Sequence, residues 1–221
     1  MAFRTIRNTA FAAVLATAAM AGLTREAEAA FVLQILEQNG GPNLSGQFTI
    51  TVSDVGGRVQ FEFKNNVGIA SSITSIHFDD KITSVLSGTP TLTESAGVDF
   101  SVNKKPGNLP GGNRIDFDAD VSVSPDGATS PNGINAAGEF LLITFDYATG
   151  ANLQTVINQI NANPSELVIG FHVQSIPVGT RDVSQSYYSI GYATNVPEPA
   201  TLALFGAGIL GLGLARRRWR S

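Results

Sequence analysis

Cysteine is absent from all 221 residues. That excludes disulfides, thiol nucleophiles and a Cys-linked lipid anchor together. Histidine occurs only as His77 and His172, and tryptophan only as Trp219. No His-Glu-x-x-His helix and no Gly-x-Ser-x-Gly elbow stands anywhere in the chain, which removes two familiar routes to hydrolytic chemistry. The string Gly206-Ala-Gly208-Ile-Leu-Gly211 has the spelling of a dinucleotide loop, but no strand precedes it and it lies inside an apolar run. No internal repeat of fixed period is present, which argues against a solenoid or propeller.

What the chain does have is two distinctive ends. Arg4 and Arg7 precede a charge-free run from Thr9 to Leu23, and Ala27-Glu28-Ala29 follows with the small-x-small pattern of a signal-peptidase site. Residues 1–29 therefore read as a secretory signal peptide, with Ala30 as the new N-terminus. There is no twin arginine, so Sec export is the simplest route. At the other end, Val196 leads into Pro197-Glu198-Pro199, an apolar run from Ala200 to Ala215, and a basic end of Arg216, Arg217, Arg218, Trp219 and Arg220. The run is short for a spanning helix, which needs about 17 to 25 apolar residues. Snorkelling arginines and Trp219 at the headgroups extend it. Ala203, Ala207, Gly211 and Ala215 recur every four residues, placing small side chains on one face of that transmembrane helix. Arg216, Arg217, Arg218 and Arg220 stay cytoplasmic, so the body should lie outside.

A Pro-Glu-Pro entry, a short apolar helix and an arginine-rich end, in that order at the terminus, resemble the PEP-CTERM sorting signal of Gram-negative bacteria. The resemblance covers about the last tenth of the chain. It implies that Pro197, Glu198 and Pro199 are recognition residues for an exosortase, an integral-membrane cysteine transpeptidase found alongside exopolysaccharide gene clusters. It further implies that the helix and arginines are discarded after cleavage. Three regions follow: signal peptide 1–29, body 30–195 and sorting signal 196–221. The body's wording in Phe61-Glu-Phe-Lys-Asn65, Ser72 to Asp80, Asn108 to Asn113 and Val168 to Gln174 also looks like a recurrent body found ahead of such tails. That likeness implies location and fold, and no activity.

Residues 30–195 carry seven basic against fifteen acidic side chains, a net charge of −8, which the whole-chain value of −4 conceals because both ends are basic. Phosphate contacts need clustered Lys and Arg, so nucleic acid and anionic lipid are poor partners for this body. At 166 residues it is one domain with room for a real core.

The body's periodicity is that of strands. Phe48, Ile50 and Val52 alternate within Gln47 to Ser53, and Val59, Phe61 and Phe63 alternate within Arg58 to Lys64. Asp54-Val55-Gly56-Gly57 between them predicts a hairpin. Further strands are expected over Phe31 to Glu37, Ile73 to Asp79, Ile82 to Leu86, Val98 to Val102, Arg114 to Val123, Glu139 to Tyr147 and Glu166 to Ile176, with Gly179 to Ser186 as a flexible loop. One segment has helical spacing, with Leu153, Val156, Ile157 and Ile160 recurring after an Asn152 N-cap. About nine strands and one short helix predict an all-β fold, a β-sandwich of jelly-roll or immunoglobulin-like layout.

Within this body, Asp116, Asp118 and Asp120 occupy alternate positions of the expected 114–123 strand and would share one face. Their mutual repulsion would be relieved by Ca²⁺, although Val121 and Gly127 depart from an EF-hand loop. Either a calcium site or a solvated acidic face fits this pattern, and no other cofactor is indicated. Asp79-Asp80 is a weaker candidate of the same kind. His77 and His172 fall on polar strand faces, where solvent exposure is the simple expectation and a metal the alternative if both met beside Asp79. Tyr187 and Tyr188, adjacent on the chain, would point one to the core and one to a rim, where a ring could meet sugar. The sequence thus points to an exported, non-enzymatic surface or matrix protein. Signal peptidase and exosortase process it, its terminal helix anchors it transiently in the inner membrane, and its role is structural or adhesive beside exopolysaccharide. The alternatives are a calcium-dependent carbohydrate-binding module and a secreted polysaccharide hydrolase, which would need a carboxylate pair in a cleft.

Overall fold

Alternation of apolar and polar residues becomes alternation of burial wherever a strand has one covered face. The computed structural model describes residues 30–81 and 83–193, and over Arg58–Asn65 every second side chain is buried, beginning at Val59. In chain order the strands are β1 (Ala30–Gln38), β2 (Phe48–Asp54), β3 (Arg58–Asn65), β4 (Ser72–Asp80), β5 (Leu86–Glu94), β6 (Phe100–Val102), β7 (Val121–Pro125) and β8 (Phe140–Tyr147). After helix α1 (Leu153–Ile160) come β9 (Leu167–Val178) and β10 (Arg181–Ala193). The signal peptide and the terminal apolar helix lie outside the described residues. Among those described, no helix is long and apolar enough to cross a membrane.

All ladders are antiparallel, in the order β5-β8-β3-β2-β1-β10-β9-β4-β7-β6. β1 and β2 are joined through a single residue pair, Ala30 with Thr51. At that thin junction the ladder folds over into two layers. The rings demonstrate it: Phe61 on β3 and Phe145 on β8 lie 5.2 and 5.0 Å from Phe78 on β4, and Phe48 on β2 lies 5.3 Å from Phe171 on β9. These strands are remote in the ladder, so their rings meet, tilted or edge-on, across the core from opposite layers. Each buried Phe contributes about 1.5 to 3 kcal/mol by leaving water.

Local chemistry explains the connections. Gly56 and Gly57 both have positive φ, 63° and 79°, as a two-residue primed turn requires, and Val55 and Arg58 exchange backbone hydrogen bonds across it. Asn152 caps α1 by accepting from the Thr155 backbone N–H at 3.0 Å, while Thr155 Oγ1 accepts from the Asn152 N–H at 3.0 Å. Val156 and Ile160 bury the helix against the body.

Two expectations require correction. Where a strand over 82–86 is expected, Thr83 to Val85 are irregular, because one Asp80 oxygen accepts from Ser84 Oγ and the N–H groups of Val85 and Leu86, which curls the chain. β5 starts only at Leu86 and continues through Gly88 and Pro90, residues that mask a strand in sequence; its register shifts between Ser87 and Thr91. The 179–186 segment is not a loop beyond its first turn, since β10 begins at Arg181. Further along β10 the buried polar residues are satisfied: Gln185 Nε2 donates to the Pro42 carbonyl at 2.8 Å, and Ser189 Oγ accepts from the Ile169 N–H at 3.0 Å.

Phe78→Ala is predicted to lower unfolding stability by about 3 to 5 kcal/mol, because rings from the opposite layer lose their partner. Asn152→Ala should lower it by only about 1 kcal/mol. Urea melts of the two variants beside the parent chain check the ranking, and an equal effect would contradict Phe78 as the layer bridge.

Candidate functional site

The face of β4 and β9 turned away from the main core holds the chain's two histidines. On β4, Ile76 and Phe78 enter the core, which turns Ser75, His77 and Asp79 outward. On β9, the core takes Ile169, Phe171 and Val173, which turns Val168, Gly170, His172 and Gln174 outward. Ser75 pairs with His172, and His77 with Gly170. The sequence leads one to expect this polar face in water. It is covered.

The cover is the stretch between β6 and β7. Leu109 and Phe117 descend onto Val168 and form a second, small apolar cluster that Leu36, Ile115, Ala119 and Tyr188 flank. Gly170 allows the close approach: a Cβ there would stand 2.5 Å from Leu109 Cδ2. His77, 4% exposed, lies beneath. Its Nδ1 is 2.7 Å from the Gly107 carbonyl, which can only accept, so Nδ1 carries the proton and Nε2 accepts from Ser75 Oγ at 2.8 Å. His172 Nδ1 contacts Ser186 Oγ at 3.1 Å.

Burial disfavours the charged form of both imidazoles. Desolvation lowers the His77 pKa to about 4, the Gly107 hydrogen bond opposing it and the nearby His172 adding to it. Desolvation also lowers His172, with Glu37 opposing. Asp79 is 3% exposed, and burial raises its carboxyl, against the pull of the Asp118 N–H at 3.0 Å and of Lys81 at 3.4 Å. These groups knit the cover to the sheet.

Asp116, Asp118 and Asp120 require a correction, since they do not share a strand face. A 3-10 turn occupies Gly112–Arg114, Asp116 has φ 53°, and β7 starts only at Val121. Ile115, Phe117 and Ala119 point down into the small cluster, whereas the three aspartates are exposed. The alternation was genuine, but it belongs to a segment laid across a sheet. Lys81 Nζ donates to the carbonyls of Ile115 at 3.2 Å and Asp116 at 2.6 Å, and the Asp120 carboxylate accepts from the Asp80 N–H at 2.8 Å. Among the described residues no three His, Asp or Glu side chains gather as metal ligands, and the histidines do not meet Asp79 in such a group.

Tyr187 is fully buried, stacked on Phe171 at 5.3 Å, and accepts from the Leu44 N–H at 3.1 Å. Tyr188 takes the other face, donating to Gln34 Oε1 at 2.8 Å while packing on the cover. The sorting residues Pro197, Glu198 and Pro199, the small-residue face at Ala203, Ala207, Gly211 and Ala215, and Arg216, Arg217, Arg218 and Arg220 lie outside the described residues. Sequence reasoning missed one further feature, a polar depression at the β9–β10 hairpin whose lining includes Ser175 and Arg181. The positive φ of Ser175, 57°, has no signature in the sequence.

Residues 195–218 match the model of the PEP-CTERM protein-sorting motif. The chain therefore carries the signal of an exosortase-sorted, exported protein. No curated protein and no solved structure matches the chain.

Acid should loosen the cover. The folded pKa of His77, about 4, lies below its ordinary 6.5, so between these values the unfolded chain binds more protons and stability falls as pH drops, levelling off below about 4. Asp79 acts in the opposite sense: its raised carboxyl favours the folded state in acid, a contribution lost as pH rises through its folded pKa. In denaturant melts from pH 7 to pH 4, His77→Gln is expected to be less stable than the parent at neutral pH and to close that gap on acidification. Parallel curves would show that His77 does not titrate with unfolding.

Proposed function

We propose that this is an exported surface or matrix protein, a non-enzymatic β-sandwich body of jelly-roll or immunoglobulin-like layout, that associates with exopolysaccharide in a structural or adhesive role. The observation that carries the reading is the sorting motif at residues 195–218. Signal peptidase removes residues 1–29, the terminal helix holds the chain briefly in the inner membrane with Arg216 to Arg220 inside, and exosortase recognises Pro197-Glu198-Pro199 and removes the helix and arginines. The described body supports a binding role over a catalytic one. His77 is buried and His172 half-buried, each is hydrogen-bonded, and Asp79 is engaged by the Asp118 N–H and Lys81.

Intact mass on membrane and extracellular fractions of the producing cells tests this. The expected species runs from Ala30 to a terminus near residues 197–199, leaves the membrane fraction and co-elutes with polysaccharide. Replacing Pro197, Glu198 and Pro199 together by alanine should return the chain, tail intact, to the membrane. A parent chain that keeps Arg216 to Ser221 and stays in the membrane overturns the sorting reading. Export without polysaccharide association overturns the adhesive one.

A further inference from the structure

The end of the β9–β10 hairpin bears an open depression of about 460 Å³. Asn39 closes it from beyond β1, Ser130 from the 126–138 loop, and Gln174, Ser175, Arg181 and Ser184 from the hairpin itself. Asp182 and Val183 complete the lining, so all but one of these side chains are polar and none is aromatic.

Two features set this place apart. The β9–β10 register shifts between Val183 and Gln185, and Ser175 adopts a φ of 57°, a conformation that few residues other than glycine take. Consecutive strand residues ordinarily face opposite sides; this bulge turns both Gln174 and Ser175 into the depression. The second feature is Arg181. Arg58, Lys64, Lys81 and Arg114 are paired with Asp146, Glu62, Asp79 and Glu37. The exposed Arg181 side chain, like those of Lys104 and Lys105, makes no ion pair or hydrogen bond among the described residues, and it is the one such arginine there. In a body of net charge −8 an unclaimed guanidinium within a polar hollow is conspicuous.

The wall behind it is fixed in advance. Ser175 Oγ donates to Ser130 Oγ at 2.9 Å, and the Ser130 carbonyl accepts from Ser72 Oγ at 2.8 Å and Asn135 Nδ2 at 3.1 Å. Asn39 Nδ2 points to Ser184 Oγ at 3.4 Å.

We propose that this depression binds a carboxylate-bearing saccharide, a uronate unit, with the Arg181 guanidinium forking onto the carboxylate and the amides and hydroxyls of Asn39, Gln174, Ser130 and Ser184 meeting the ring hydroxyls. A planar guanidinium matches a carboxylate in two parallel hydrogen bonds. A lining without aromatics cannot stack a neutral sugar ring, so charge and hydrogen bonds must supply the selectivity. Asp182 accepts from further hydroxyls of the sugar. The proposal deepens the exopolysaccharide reading above and rests on it for its setting, while its chemistry rests on the lining alone.

The test is calorimetric titration of the full chain in neutral detergent with tetragalacturonate, cellotetraose and tetraglutamate. It is run at about 0.15 M salt, where a Debye length of about 8 Å mutes the body's long-range repulsion. Tetragalacturonate should bind, at least tenfold tighter than cellotetraose and than tetraglutamate. Arg181→Gln should weaken it tenfold or more and Gln174→Ala several-fold, with melting temperatures unchanged, while Lys104→Gln leaves binding as it was. No tetragalacturonate binding, equal binding of cellotetraose, tighter binding of the peptide, or full binding by Arg181→Gln overturns the site. If the chain co-elutes with polysaccharide in cells but fails this titration, the site is wrong and the functional reading stands. If it passes the titration but never meets polysaccharide in cells, the reverse holds.

Discussion

Phe78 stands between two layers that share almost no backbone hydrogen bonds. The ladder is continuous on paper, but at β1 and β2 it narrows to one residue pair, so the layers are held by side chains. Phe61, Phe63 and Phe145 from one side close on Phe78 from the other, at 5.2, 6.3 and 5.0 Å. Phe48 does the same for Phe171 and Tyr187 further along. Tilted and edge-on rings of this kind add about 0.5 to 1.5 kcal/mol per pair beyond burial. With neither cysteine nor a metal group among the described residues, this aromatic seam is what keeps the two layers in register.

Once the inner faces are closed, the outer face of β4 and β9 has a different problem. It carries histidines and a carboxylate that burial would penalise unless each found a partner. The Asn103 to Asp120 stretch answers it with backbone: the Gly107 carbonyl for His77, the Asp118 N–H for Asp79, and the carbonyls of residues 115 and 116 for Lys81. A few apolar anchors, Leu109 and Phe117 over Val168, exclude water from the arrangement. The outcome is a small polar network whose members are neutral or paired, suited to holding a surface segment in place.

The depression proposed as a binding surface lies elsewhere, where the β9–β10 hairpin bulges. Strand pairing gives way there for one residue, and with it the rule that neighbours point apart. A bulge at a hairpin end is an economical way to aim several short polar side chains together into an open hollow.

Much of this was legible from residues alone, for identifiable reasons. Strict alternation around Phe61 and Phe63 predicted β3 and its partner, Gly56-Gly57 predicted their turn, and Asn152 with its helical spacing predicted α1, because each rests on contacts close in sequence. The tail was legible for the same reason: residues 195–218 are a linear signal. Elements that depend on distant partners were not. β10 hides behind Ser and Gln whose partners, Pro42 and Ile169, lie far away, and Asp116 to Asp120 alternate as a strand would while lying across one. Sequence by itself determined the strand-rich class, the hairpin and helix, the acidic body and the sorting tail. Tertiary structure alone decided that His77 is buried and His172 half-buried, that the three aspartates stand on an irregular segment rather than a strand, and that Ser175 and Arg181 share one hollow. Burial and convergence depend on which segments meet, and no short stretch of sequence encodes that.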